Sequence, residues 1–370
     1  MDIGRRLKNA RDAIGYTLEK AEKESGIGAS SLSEFENGKR EPKFSQISRL
    51  AEVYKRSIDF FLTDKLPAEP VMLWRDGPGS QEEKKETEAE FRRLCQQYHK
   101  LEVLMGEVKR PRFHEPDISK AEEFSFQRAA SFAGELRNQL CLGDIPSMSL
   151  RQVLEERFYV KIFHFGFSGS AISTVSEEFG LAVLLNKSSK LWRRNYDLGH
   201  ELFHLLTWHI FRKVSSGKAE PTELEEKLAN AFASRLLLPA DSVRERVDTA
   251  MGAKGKISFE QIDEIAREFG VSLDALLWRM VYIYNMPAEE IQRYIERAKS
   301  VEVLRRPARR SDIPDDLPER YCSLAIRALR EGKLSLMQFA KYTGISYKNA
   351  QEYLTDEEGF TDEEISISIA

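Results

Sequence analysis

Apolar positions in the first 63 residues recur at helical spacing, in short bursts broken by turn residues. Ile3, Leu7, Ala10 and Ile14 share one face of a helix that Gly15 closes. Thr17 is placed to cap a second helix running to Ser25 and Gly26, and Ser30 to Glu36 makes a third, ended by Asn37-Gly38. Pro42 breaks the chain before Ile47, Leu50, Ala51 and Tyr54 mark a fourth helix, and Ile58 to Leu62 a short fifth. The pattern predicts a bundle of five short helices.

From residue 64 to about 90 that period is lost. Pro67, Pro70, Gly77, Pro78 and Gly79 precede the charged run QEEKKETEAE, which reads as a linker feeding a helix over about 88–106; another helix is expected over about 119–141. The period then shortens. FYVKIFHF (158–165) and LAVLLN (181–186) are rich in β-branched and aromatic residues and predict strands of a small sheet, with GFSGS turning between them. Helical spacing returns in RRNYDLGHELFHLLTWH (193–209), in 221–239 up to Pro239, and in a pair of helices around Phe269-Gly270-Val271 over 257–283. RRPARRSDIPDDLPE (305–319) reads as a second linker, whose Arg305, Arg306, Arg309 and Arg310 form a solvated basic cluster. The tail gives helix, Gly-centred turn and helix over 333–354, and EEISISIA alternates in the manner of a strand.

Composition narrows the class. A chain of 370 residues exceeds one ordinary core, so two or three domains are expected. With 41% hydrophobic and 31% charged residues it reads as soluble and globular, and a fibrous or disordered chain is excluded. The net charge of −4 exerts no global pull on nucleic acid or anionic membrane, so DNA binding must come from a local patch. Cys95, Cys141 and Cys322 are odd in number, widely separated and without metal-ligand spacing, which argues for a reducing compartment. The N-terminus lacks the apolar core of a signal peptide and no run reaches spanning length; a cytoplasmic location is expected.

Candidate chemistry sits in the histidine-bearing helix. His200 and His204, four residues apart, lie about 40° apart around the axis and one turn along it, so both imidazoles can meet one tetrahedral metal ion, with Glu201 beside them. Leu198, Leu202, Phe203, Leu205 and Leu206 bury this helix, and unpaired polar groups there would each cost on the order of a few kcal/mol. A metal removes that cost. His209 is expected to pack or hydrogen-bond rather than bind metal. A third ligand should come from PTELEEKLANAFASRLLLP (221–239), where Leu228, Ala229, Phe232, Ala233, Leu236 and Leu237 form one apolar stripe. Glu225 and Glu226 both fall near its edge while Glu223 points away, so phasing leaves Glu225 and Glu226 unresolved.

HELFH followed by EKLANAFASRLLLP resembles the ImmA/IrrE metallopeptidase family, whose second motif runs Glu-x-x-Ala-Asn-x-Phe-Ala-x-x-Leu-Leu-x-Pro. Ala229, Asn230, Phe232, Ala233 and Pro239 match it, over a resemblance that spans roughly residues 125–300. It implies zinc, with manganese as the alternative, held by His200, His204 and Glu226 in a gluzincin-like arrangement, and Glu201 as general base of peptide hydrolysis. Two positions depart from the family: Gly199 stands where alanine is usual and Phe203 where glycine is usual.

TLEKAEKESGIGASSLSEFENGKREP (17–42) resembles the Xre/Cro helix-turn-helix family, although Leu18 replaces the common glutamine and Ala21-Glu22 the common Leu-Ala pair. The resemblance implies a third helix in the major groove of double-stranded DNA. Ala29, Ser30 and Glu34 would meet base edges, Ser31 and Ser33 phosphates, and Lys39, Arg40 and Lys43 the backbone. With twelve Lys/Arg against ten Asp/Glu, residues 1–63 are only weakly basic.

The expected architecture is multidomain and mainly α: an all-α helix-turn-helix head over 1–63, a linker and connecting helix over 64–118, an α+β zincin-like core with a small sheet over 119–304, and a helical C-terminal module over 305–370. Its resemblances imply a cytoplasmic, homodimeric regulator that cleaves one protein, an Xre-type repressor or the product of an adjacent gene, to control phage, mobile-element or stress genes. The alternative is a DNA-binding autoregulator, or the antitoxin of a toxin–antitoxin pair, whose core senses or binds a partner with little turnover.

Overall fold

The computed structural model describes residues 2–355 apart from 64–68, 78, 111–112, 114–115, 117, 119, 213–219, 253–254, 290, 294 and 296–314. The arginine cluster at 305–310 and the EEISISIA tail lie outside the described residues. All five expected head helices are present: α1 (Ile3–Ala13), α2 (Leu18–Ser25), α3 (Ala29–Glu36), α4 (Phe44–Val53) and α5 (Ile58–Leu62). Asp2, Thr17 and Ser57 cap three of them by accepting from the backbone N–H groups of Arg5, Lys20 and Phe60. Leu7, Ala10, Leu32, Phe35, Leu50 and Tyr54 fill the shared core. Gly4 lets α1 cross α3 closely, since a Cβ there would lie 2.4 Å from the Phe35 carbonyl oxygen.

A four-stranded sheet of order β1-β3-β4-β2 follows, built from β1 (Met72–Arg75), β2 (Lys161–Phe165), β3 (Ala171–Ser176) and β4 (Gly180–Asn186). β3 runs antiparallel to both β1 and β4, while β2 pairs parallel to β4 with Phe163 opposite Leu184. Both faces are covered. Ile162, Ala171, Val183 and Leu185 join the core beneath the histidine helix, and Phe163, Ile172, Ala182 and Leu184 join a second cluster on the other side. That double burial is why β2 and β4 read as nearly continuous apolar runs.

The second cluster is completed by α6 (Gln81–Leu104) and α15 (Glu319–Arg330), through Phe91, Cys95, Tyr98 and Leu101 on the former and Tyr321, Leu324, Ala325 and Ala328 on the latter. Two expectations change here. Residues 64–118 contain more than a linker and connecting helix, because Met72–Arg75 form an edge strand and α6 packs as a layer on the sheet; α6 begins at Gln81, seven residues before the expected start, where Ser80 caps it by accepting from Glu83 N–H. The described part of the C-terminal segment, α15 with α16 (Leu336–Thr343) and α17 (Tyr347–Thr355), packs into that same layer instead of standing apart.

On the other face lie α7 (Phe126–Leu140), α8 (Leu150–Glu156), α9 (Leu191–Leu206), α10 (Trp208–Phe211), α11 (Glu223–Leu237), α12 (Ala240–Met251), α13 (Phe259–Glu268) and α14 (Leu273–Tyr284). The turn between α13 and α14 is pinned to α9: Gly270 has φ +61° and its carbonyl accepts from Asn195 Nδ2 at 2.9 Å. Among the described residues no helix is long and apolar enough to cross a membrane.

Candidate metal centre

α9 lies on the sheet and against α11, and the facing surfaces of the two helices carry the polar side chains. His200, His204 and Glu226 each turn one ligand atom toward a common point, all within 4.8 Å of one another. His200 Nε2 and His204 Nε2 are 3.1 Å apart, His200 Nε2 is 3.2 Å from Glu226 Oε2, and His204 Nε2 is 3.3 Å from Glu226 Oε1. A tetrahedral ion about 2.0 Å from its ligands sets them ~3.3 Å apart. The donor set therefore fits a divalent ion of zinc's size and chemistry.

Which nitrogens carry protons follows from the partners behind the rings. His204 Nδ1 is 2.8 Å from Glu225 Oε1, and Glu225, which also receives both Arg212 Nη1 at 2.8 Å and Nη2 at 2.6 Å, can only accept. His200 Nδ1 is 3.0 Å from Asn230 Oδ1, itself an acceptor for Arg75 Nη2 at 3.3 Å. Each imidazole thus donates through Nδ1 and presents a lone pair at Nε2 in its neutral form. Two such lone pairs facing each other at 3.1 Å repel unless a cation or a proton lies between them.

The electrostatics agree with a site short of positive charge. Burial holds His200 down to about 4, keeping it neutral. Burial also opposes charge on His204, but the carboxylates of Glu225 and Glu226 outweigh it and raise that ring to about 9. Glu226 is driven well below the usual carboxylate range: its desolvation is outweighed by its bonds to both histidines.

Glu201 faces the sheet side of the helix and is buried. Its Oε2 accepts from Ser173 Oγ at 2.6 Å, while Oε1 has no hydrogen-bond partner among the described residues. Burial pushes this carboxyl up to about 7, against the lowering effect of His204 and the Ser173 hydroxyl. One turn upstream on α9, Asp197 is fully buried between Arg75 Nε at 3.2 Å and Arg193 Nε at 3.1 Å. Tyr196 OH donates to the Asn230 carbonyl at 3.0 Å. The edge strand thus braces the back of His200 through Arg75 and Asn230.

With this geometry in view, comparison with known proteins places both parts of the chain. Residues 7–61 match the helix-turn-helix family, and residues 155–280 match the IrrE N-terminal-like domain, a peptidase family. The chain joins an Xre-type helix-turn-helix head to an IrrE-like domain. A stretch of 62 residues is 37% identical to the HTH-type transcriptional regulator ImmR of Bacillus subtilis (strain 168), covering 17% of this chain and 49% of that protein. The chain thus spans about half the length of the curated relative it matches. No solved structure matches.

Within the IrrE-like domain, neither sequence departure supplies a ligand atom, although the Phe203 ring stands edge-on to that of His204 at 6.0 Å. Phe203 packs behind α9 against Phe124, Phe211 and Phe232. A Cβ on Gly199 would meet Ala233 Cβ at 3.5 Å, an ordinary contact. His209, expected to pack or hydrogen-bond, is exposed on α10 and stands outside the cluster. Sequence reasoning gave no role to Asn230, Arg212, Ser173 or Arg75. Asn230 alone had a visible signal, as a matched motif position; the others reach the site from elements whose placement only the fold provides.

In the helix-turn-helix head, Ala29, Ser30, Ser31, Ser33 and Glu34 lie on α3, Lys39 and Arg40 in the following turn, and Lys43 at the start of α4. Ser30, Glu34, Lys39, Arg40 and Lys43 are exposed, while Ala29, Ser31 and Ser33 are half-buried. Glu34 is 3.9 Å from Arg40, and Asn37 Nδ2 donates to the Ser33 carbonyl at 2.8 Å and to Ser33 Oγ at 3.3 Å. The head suits binding to DNA, with its local cations on one exposed turn.

Proposed function

We propose that this chain is a transcription regulator whose IrrE-like domain is a metalloendopeptidase acting on one protein, an Xre-type repressor or the product of an adjacent gene, to control phage, mobile-element or stress genes. His200, His204 and Glu226 hold zinc, with manganese the alternative, and Glu201 is the general base. One observation carries the reading: two imidazoles, each tied down through Nδ1, turn their Nε2 atoms to one point 3.1 Å apart beside a carboxylate. The domain plan that goes with it is a head over 1–63 and a peptidase core over 119–304, with residues 72–104 and α15 built onto the core's sheet.

When bound, the ion supplies Lewis acidity and lowers the pKa of water at its remaining position. Glu201 would act as the general base, accepting a proton from the attacking water and returning it to the leaving amine. Ser173 Oγ donates to Oε2, which fixes the carboxyl and leaves Oε1 to handle the proton. Glu225 and Asn230 hold the two rings in the tautomer that ligation requires.

In the head, α3 enters the major groove. Ala29, Ser30 and Glu34 meet base edges, Ser31 and Ser33 approach phosphates, and Lys39, Arg40 and Lys43 grip the backbone of a homodimer's operator. A gel shift on the upstream region of its own gene tests this, and binding should weaken steeply with salt.

The burial of His200, Glu201 and His204 favours a second reading, in which a DNA-binding autoregulator or antitoxin uses the core to sense or bind a partner with little turnover. Incubation with the products of adjacent genes and zinc separates the two. Chelator-sensitive cleavage that Glu201→Gln abolishes while retaining zinc supports the peptidase. A stable complex without cleavage supports the rival.

A further inference from the structure

On the opposite side of α11 from the metal centre lies a cavity of about 610 Å³, lined by Ser131, Gly134 and Arg137 of α7, Arg235 of α11, Pro239 at the start of α12 and Arg279 of α14, among others. Arg235 follows Glu226 by nine residues (235 − 226), which is half a revolution around the helix. The two sites therefore occupy opposite faces of one helix.

Arg279 is 3% exposed. Its Nε donates to the Leu238 carbonyl at 2.8 Å, at the end of α11, while Nη1 has no partner among the described residues. Among those residues no carboxylate forms an ion pair with either Arg279 or Arg235, and Arg235 instead stacks on the exposed ring of Tyr282 at 5.4 Å. Burial and the charges of Arg235 and Arg244 depress Arg279 to about 9, with no acidic group acting in the other direction. Among the described residues the only acid on the cavity wall, Asp241, is almost fully exposed and pairs with Arg244 at 3.1 Å. The twelve-residue helix α12 starts here with Pro239 as its N-cap and no side-chain cap. Its first N–H groups and the positive end of its dipole therefore open on the same space.

We propose that this cavity binds the phosphate group of a small phosphorylated molecule. Two arginines without a carboxylate partner, one of them buried, and an uncapped helix start line the same space, and phosphate oxygens match donors of this kind. The volume falls within the range of small-ligand sites and leaves room for the organic part, against Ala130, Gly134 and Pro239. Phe126, half-exposed, stands at the edge of the same cavity.

Isothermal titration of the full chain with AMP, glucose 6-phosphate, inorganic phosphate and succinate, at fixed ionic strength, tests the assignment. At least one phosphate ester should bind saturably and more tightly than inorganic phosphate, and succinate more weakly than either. Arg235→Gln and Arg279→Gln should each weaken ester binding by roughly tenfold or more, while Arg157→Gln, at an exposed position elsewhere, should leave it unchanged. Arg235 is half-buried and carries the test should Arg279→Gln fail to fold. Absence of saturable binding, undiminished binding in Arg235→Gln, succinate binding as tightly as the esters, or esters binding no better than inorganic phosphate would each overturn it.

Discussion

His204 and Glu225 are joined by a hydrogen bond of 2.8 Å between Nδ1 and Oε1, with both side chains buried. Glu225 is in turn clamped by two Arg212 nitrogens, so the acceptor behind the ring is itself fixed and holds Nδ1 in one orientation. Partners of this kind, behind a ligating histidine, set its tautomer and basicity, and their loss typically lowers metal affinity 10–100-fold. Glu225→Gln should therefore weaken zinc binding by about that factor, and Glu226→Ala by more, since it removes a ligand outright. Competition with a chelator of known affinity measures both. Equal zinc affinity in Glu225→Gln and the parent chain would count against the arrangement.

Gly199 offers a second, independent check on α9. It is the one glycine of that helix, and glycine in a helix interior costs roughly 1 kcal/mol relative to alanine. A Cβ there would stand 3.5 Å from Ala233 Cβ, 3.6 Å from Ala233 Cα and 3.6 Å from Leu237 Cδ1, so it fills space without displacing backbone. Gly199→Ala is expected to raise stability by about 0.5–1 kcal/mol in thermal or denaturant unfolding, with zinc affinity unchanged. A destabilised variant would mean that α9 and α11 approach more closely than these distances allow.

How much of this was legible in the sequence depends on where each residue's partner lies. The five head helices announce themselves because their apolar residues bury one face each, the histidine helix because it is apolar on nearly every side over residues 197–206, and LAVLLN because both faces of β4 are covered. β3 (AISTVS) is disguised by Ser173 and Thr174. Both are fully buried, and their hydroxyls are satisfied by Glu201 Oε2 and the Val71 carbonyl, neither of which is near them in sequence. β1 has four residues among prolines and glycines, too few to show a period, and it matters because Arg75 braces Asn230. The first turns of α6 hide in a run of charges for a different reason: they are half-buried through polar contacts, Lys20 with Glu82 and Glu86 and Trp74 Nε1 with Glu88, and leave no apolar stripe. Glu225 and Glu226 could not be separated by phasing because both edges of α11's stripe are used, one behind His204 and one in front of it.

Glu155, on α8 outside the metal centre, should impose a pH dependence on stability. It is 5% exposed, its Oε1 has no partner among the described residues, and the cation paired with it, Arg151 Nη1, is 3.5 Å from Oε2. Burial raises this carboxyl from the usual 4.5 to about 7 despite that arginine. The folded chain therefore holds the proton more tightly than the unfolded chain. The contribution is fully favourable below the unfolded value and is lost as pH rises from about 4.5 through 7, where the folded chain must carry a buried anion. Glu155→Gln removes that charge. Its stability relative to the parent should rise by on the order of 2–3 kcal/mol between about pH 4.5 and about pH 8, read as the difference in urea midpoints of the two proteins at each pH. A difference that stays constant across that range would show that Glu155 is ionised in the folded chain throughout, with water or Arg151 compensating its charge.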